Sequence, residues 1–374
     1  MNPQELFCPN IACPARGQVG KGNIHIHSQK DKRCICEVCG GTFTTRIGTI
    51  FYRLRSDPQL VMWVIVLLAY GCPIQAIVKA FGLDERTVSD WQTRAGQHGQ
   101  QVHEHLVENS QHDLQQVQAD EIKVKIQKGV IWMALAIWVP TRLWMGGVIS
   151  PKRDLDLIQA LADKVRQMAL CRPLLLAVDG LVSYVSAFRN AFRSKFPRQA
   201  GELGRCKMVS WQGIAIAQVV KQRVEGVLNV ERRIVQGAKD MVERLIEKTQ
   251  GQGVINTAFI ERLNATFRQR INPLTRRTRT LAQRAETLMA GMYIVGCFYN
   301  FCDFHHSLRL KLSVGSFGHH WVQRTPAIAS GLTDHQWTPA ELLNFKVPPP
   351  RWELPKQRGR PSTALLLLAQ QWAN

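Results

Sequence analysis

Apolar residues in the first third of the chain recur at helical spacing, and further on they switch to a period of two. Leu60–Tyr70 is a strongly apolar stretch closed by Gly71, which predicts a short helix. Pro73–Phe81 follows, with Ile74, Ile77, Val78 and Phe81 on one helical face. Gly82 then makes a turn, and Asp84 is placed to cap a second, more polar helix in which Thr87 is the third residue. From Val117 to Ile126 the pattern alternates: Asp120, Ile122, Val124 and Ile126 share one face, and Glu121, Lys123 and Lys125 point away from it. Val130–Val139 and Leu143–Ile149 continue an antiparallel meander, and Asp156–Ala169 returns to helical spacing. Leu174–Val178 is a continuous apolar run, as expected of a central strand covered on both faces.

The pattern divides the chain into four expected parts: 1–50, rich in Cys, Gly and polar residues; 57–110, helical; 115–310, mixed strands and helices; and 311–374, punctuated by proline. The predicted fold class is therefore multidomain α/β. Two helices joined by a glycine turn are the layout of a helix-turn-helix, whose second helix would offer Glu85, Arg86, Ser89 and Thr93 to DNA. The plain alternative is a helical hairpin with a solvated polar face.

Acidic residues stand at informative points of this pattern. Asp120 lies on the apolar side of its strand, which is costly for an acid that has neither a partner nor a metal. Asp179 ends the central strand and is released into a loop by Gly180, where open sheets place their ligand-binding groups. On a predicted helix, Glu261, Asn264 and Arg268 share a stripe, next to the apolar stripe of Ile260, Leu263 and Phe267. Asp120, Asp179 and Glu261 together would suit two Mg²⁺ (or Mn²⁺) ions, since hard cations take carboxylate oxygens and leave positions open for water and phosphate. Singly, each acid also reads as a salt-bridge partner, a helix cap or a solvated side chain.

Cys8-x4-Cys13 and Cys36-x2-Cys39 form two pairs separated by 22 residues, the spacing of one tetrahedral structural Zn²⁺. Gly40-Gly41 permits the tight turn after the second pair. Cys34 is a rival ligand, and free buried thiols are the competing reading. His25 and His27 alternate along a predicted strand and are expected to be exposed.

Charge narrows the partners. With 48 Lys+Arg against 28 Asp+Glu the net charge is +20, which calls for a polyanion. A membrane surface would also attract it, but no stretch approaches the ~18 apolar residues of a span, and the N-terminus has no secretory pattern. A cytoplasmic, nucleoid-associated place in a bacterial or archaeal cell is expected. Arg268, Arg276 and Arg277 crowd behind Glu261 and would hold a DNA backbone. Arg358-Gly359-Arg360, in a basic tail beyond the stiff run Val347–Pro350, resembles an AT-hook of the minor groove.

The block Ile255–Asn264, followed by Phe267–Arg270 and Arg276–Arg279, closely resembles transposases of the insertion-sequence-one family. Gln118–Glu121 resembles that family's first-acid motif, Val178-Asp179-Gly180 its second, and Tyr299–Leu308 its continuation; the resemblance spans residues 8–310. It implies a zinc-ribbon-like N-terminal domain, a helix-turn-helix, and a ribonuclease-H-like core using Asp120, Asp179 and Glu261. It also implies metal-dependent cleavage and strand transfer at the inverted repeats of an element, by a homodimer or larger synaptic assembly on end and target duplexes. A DNA-binding regulator using only the N-terminal modules, and a nuclease or resolvase on the same fold, are the rival functions.

Overall fold

The computed structural model describes residues 2–127, 129–196, 204–275, 284–313, 319–354, 359 and 361–372. They divide into two compact units, Met1–Pro58 with Leu343–Asn374, and Gln59–Leu342.

In the first unit, β1 (Ile24–Ser28), β2 (Arg33–Cys36) and β3 (Thr42–Thr44) form an antiparallel sheet. Its small core joins Leu6, Ala15, Ile24 and Phe43 to the buried cysteines, and Trp372 packs against it from a helix at Thr363–Trp372. The Ile50 amide donates to the carbonyl of Leu343. The end of the chain thus belongs with the cysteine segment, whereas the sequence pattern set 311–374 apart as one extension.

In the second unit, α1 (Pro58–Ala69), α2 (Ile74–Phe81) and α3 (Glu85–His103) stand where the periodicity predicts. Gly82 is left-handed at φ 64°, and the Asp84 carboxylate accepts the Arg86 amide at 2.8 Å. These helices are not set apart from the sheet region. α3 buries Val88, Trp91, Ala95 and Val102 and crosses α8 (Ala285–Cys297). A β-carbon added to Gly96 would come within 2.3 Å of the Ala290 backbone, so that crossing demands glycine.

The sheet comprises β4 (Gln116–Ile126), β5 (Gly129–Trp138), β6 (Leu143–Ser150), β7 (Leu174–Asp179), β10 (Ile214–Val224) and β11 (Val227–Gln236). Their order is β11-β10-β7-β4-β5-β6. β4 and β10 both run parallel to β7, and the remaining pairs are antiparallel. A short hairpin of β8 (Arg193–Lys195) and β9 (Met208–Ser210) precedes β10. Leu174–Val178 is buried throughout, as its apolar run predicts.

Helices α4 (Leu155–Met168) and α5 (Val182–Ala191) cover one face. The other carries α6 (Lys239–Gln250), α7 (Ala258–Arg270) and α8. Even-numbered residues of β4 point at this second face and tie down its helices in turn. Gln116 accepts from Thr249 and Gln250 of α6. Gln118 accepts the Phe259 and Ile260 amides, both at 3.0 Å, satisfying the open first turn of α7. Beyond Asp120, Ile122 and Val124 enter the main core with Ile260, Leu263 and Phe267. Among the described residues no helix is long and apolar enough to cross a membrane.

Candidate functional site

Four sulfurs converge in the first unit. Cys8 and Cys39 lie 3.7 Å apart, Cys13 and Cys36 3.8 Å apart, and all four fall within 4.8 Å of one another. A tetrahedron with Zn–S near 2.3 Å has edges of about 3.8 Å, so the sulfurs already sit at the corners a zinc ion needs. A disulfide would require about 2.05 Å. Burial pushes Cys8 upward and Cys13 up to about 12. For Cys39 burial also acts upward, but it is outweighed by hydrogen bonds from the Asn10 side chain, the Gly41 backbone and its neighbouring thiols, leaving it near 7. Burial thus disfavours the thiolate forms of Cys8 and Cys13, and a bound dication would offset that cost. The Asn23 amide donates to Cys36 at 3.3 Å, supporting the outer shell. Cys34 is buried in the same core but lies outside the ligand group, which removes it as a rival. His25 is half exposed against Glu37, and His27 is exposed, as expected.

A second group of ligands forms in the larger unit. Ala119 of β4 pairs with Val178 of β7, which sets Asp120 beside Asp179 at neighbouring parallel strands. The third carboxylate brought within 4.8 Å of both is Glu121. The alternating pattern turned Glu121 away from the covered face, and it does point to the opposite one. That face is covered too, by α5. The Tyr184 hydroxyl donates to Glu121 at 2.8 Å, and Arg153 pairs with Glu121 and, at 3.4 Å, with Asp179. Period two separates the faces of a sheet but not a covered face from a bare one.

Glu261 lines the same cleft of about 720 Å³ as Asp120 and Asp179, but its carboxylate stands outside their cluster. It is held by Lys221 of β10 and by the Thr257 hydroxyl at 2.7 Å. Burial acts to raise Glu261, yet these two partners hold it below the ordinary carboxylate range. Lys221 is thus the counter-ion of Glu261.

The electrostatics of Asp120 and Glu121 run the other way. Burial, then the charges of Glu121 and Asp179, push Asp120 up to about 7, against a backbone hydrogen bond and the charge of Arg268. Glu121 is raised by burial and by Asp179, opposed by Tyr184 and Arg153. Asp179 also accepts the Leu181 amide at 2.9 Å, which fixes one oxygen. Crowded, partly or fully buried carboxylates, of which Arg153 pairs with only two, suit a hard divalent cation.

The residues expected to touch DNA fare unequally. Arg86 is exposed at the start of α3. Ser89 is half-buried and lines a groove between α3 and α8. Asn264 is fully buried and donates to Asp120 at 2.8 Å, so it positions a carboxylate and does not face DNA. Arg268 lines the carboxylate cleft. Arg276, Arg277, Arg358 and Arg360 lie outside the described residues. Gln118 is the functional residue that sequence reasoning missed. Its neighbour Asp120 drew attention, but its caps on α7 are made 141 and 142 residues away.

Compared with known proteins, the chain matches no family model and no curated protein.

Proposed function

We propose that the chain is a DNA transposase of the insertion-sequence-one type, using Asp120, Asp179 and Glu261 for metal-dependent strand cleavage and transfer. The observation that carries this reading is the meeting of Asp120 and Asp179 at adjacent parallel strands, with Glu261 across one open cleft, in a chain of net charge +20. The strand order, with three antiparallel strands leading into parallel β7 and β10, supports a ribonuclease-H-like core. The cysteine unit supports a zinc ribbon, and α2–Gly82–α3 a helix-turn-helix.

Asp120, Asp179 and Glu261 would hold Mg²⁺ or Mn²⁺, which when bound supply charge to activate an attacking oxygen and stabilise a leaving one. Asn264 fixes the orientation of Asp120, and the Leu181 amide fixes Asp179. Arg153 pairs with Glu121 and Asp179, and Arg268 in the same cleft would hold a phosphodiester against the acids. Lys221 must release Glu261 for it to join the other acids.

The test is end cleavage by the full chain on DNA carrying the element's inverted repeats. Asp120→Ala, Asp179→Ala and Glu261→Ala should each lose Mg²⁺-dependent cutting by roughly three orders of magnitude, since metal ligation is worth several kcal/mol. Affinity for the ends should survive. Cutting retained in all three variants would reject the site. A 3′-hydroxyl end supplied with a target plasmid should give joined products; hydrolysis alone would make the protein a nuclease.

A further inference from the structure

A second cavity, of about 200 Å³, opens on the other flank of α7. With 3.6 residues per turn, Phe259, Arg262, Thr266 and Arg270 lie about 150° around the helix from Glu261, Asn264, Ala265 and Arg268. The first set lines this cavity, and Glu261, Ala265 and Arg268 line the carboxylate cleft. The two flanks are thus separated only by the exposed crest of α7, at Glu261, Arg262, Ala265 and Gln269.

The cavity is built for an anion. Arg142 enters it from the turn between β5 and β6, with its guanidinium 4.0 Å from the Phe259 ring centre. One of its terminal nitrogens (Nη1) is buried and has no hydrogen-bond partner, an expensive state for a charged donor. Arg142 also sits at φ 59°, a left-handed conformation that a non-glycine residue rarely keeps, and the Tyr299 hydroxyl clamps its carbonyl at 2.9 Å. Arg262 adds a second cation. The one carboxylate among the lining residues, Asp303, is already engaged by Arg270 at 2.5 Å and by the Tyr70 hydroxyl at 2.6 Å. His305 and Ser307 complete the polar wall. Burial, and then Arg142 and Arg262, hold His305 down to about 4, so the ring is neutral while the cavity around it is positive.

We propose that this cavity takes a phosphate of the DNA backbone, through Arg142 and Arg262, from the same strand that is engaged at the carboxylate cleft. The inference deepens the DNA reading above and rests on it. A helix is about 10–12 Å across and phosphates advance about 3.4 Å along the axis per nucleotide. A strand laid over the crest of α7 therefore presents to this flank a second phosphate a few nucleotides from the reacting one. Two anchors on opposite flanks of one rigid helix would fix the register of the strand against Glu261 without reading its bases.

The test compares the full-length wild-type protein with Arg262→Ala, which alters an exposed side chain, and Arg142→Gly, which removes the cation while suiting the left-handed backbone. The probes are a random-sequence 30-base-pair duplex and, separately, inorganic phosphate. Each variant should bind the duplex several-fold more weakly, and the slope of log affinity against log salt should fall by about one. Inorganic phosphate should raise the melting temperature of wild type and not that of Arg142→Gly. Unchanged duplex affinity and salt slope in both variants would overturn the proposal. Phosphate protection with unchanged duplex affinity would do so as well, by assigning the cavity to a free phosphate. A wild-type protein that binds duplex through this cavity but never cuts with Mg²⁺ would leave the subsite standing and defeat the transposase reading. Normal cutting with unaltered binding in Arg262→Ala would do the reverse.

Discussion

The two ligand clusters differ in how their geometry is made. Cys8, Cys13, Cys36 and Cys39 come from two tight turns of one short segment, and their sulfurs stand at tetrahedral spacing among buried neighbours. The carboxylates come from two strands and a distant helix, and they meet in an open cleft where arginine and lysine stand in as counter-ions. A closed site of four soft ligands has no position left for a substrate, whereas an open site of hard ligands does. The first arrangement holds a fold together and the second leaves room for chemistry.

Removing metal should separate them most sharply. Purified protein should carry about one zinc per chain. Chelation, or Cys36→Ser, should unfold the segment around β1–β3, because a core this small depends on the staple. Hydrogen exchange of residues 8–44 reports it: amides that stay protected after the zinc is gone would show that the apolar cluster suffices. Withdrawal of Mg²⁺ from the carboxylate cleft should leave Gln59–Leu342 folded, since Arg153 and Lys221 already offset part of the charge of its acids.

Within the carboxylate cleft, Glu121 and Glu261 make the next comparison. Glu121 is in the cluster as it stands, yet Tyr184 and Arg153 occupy both of its oxygens. Glu261 stands apart but is half exposed and held chiefly by a mobile type of side chain, a lysine. If Glu261 is the third ligand in action, Glu261→Gln should cost roughly 10³-fold in cutting rate. Glu121→Gln, which keeps the Tyr184 contact and weakens the Arg153 pair, should cost roughly 10–100-fold, the usual penalty for a residue behind the ligands. The reverse ranking in single-turnover rates would hand the ligand role to Glu121.

Much of this was legible in the residues. Spacing alone picked out the four cysteines, alternation placed Asp120 on its strand, and a continuous apolar run ending before Gly180 placed Asp179 at the end of another. What escaped was whatever depends on the covering layers. Glu121 looked solvent-facing because an alternating strand does not reveal that α5 lies over its second side. Asn264 shares a helical stripe with Glu261 and so passed for a DNA contact, although α7 is pressed close enough for it to reach Asp120. The pairing of β10 with β7, and the caps that Gln118 places on α7, join segments too far apart for any local period to reveal. Nor did the polar sequence of α3 announce that Gly96 would be buried against α8.

The smallest effect concerns the proton on Asp120. Its folded pKa is raised from 3.8 to about 7, chiefly by burial and then by Glu121 and Asp179. Between those values the folded chain keeps a proton that the unfolded chain has lost. The contribution of Asp120 to metal-free stability is therefore fully present below pH 4, declines as pH rises towards 7, and is lost above. At 1.36 kcal/mol per unit the loss is at most about 4 kcal/mol, and solvent reaching the half-buried carboxyl reduces it. A fall in melting temperature of roughly 4–8 °C is expected between pH 5 and 7.5 beyond that of Asp120→Asn. Magnesium binds the deprotonated group, so it should restore most of that difference at pH 7.5 and little at pH 5. The cysteine site offers the contrast: its loaded form is already deprotonated at both values, and added Mg²⁺ should leave it untouched. Parallel pH profiles for wild type and Asp120→Asn would mean that the crowding of the three acids carries no free energy, and the case for a cation-hungry cleft would go with it.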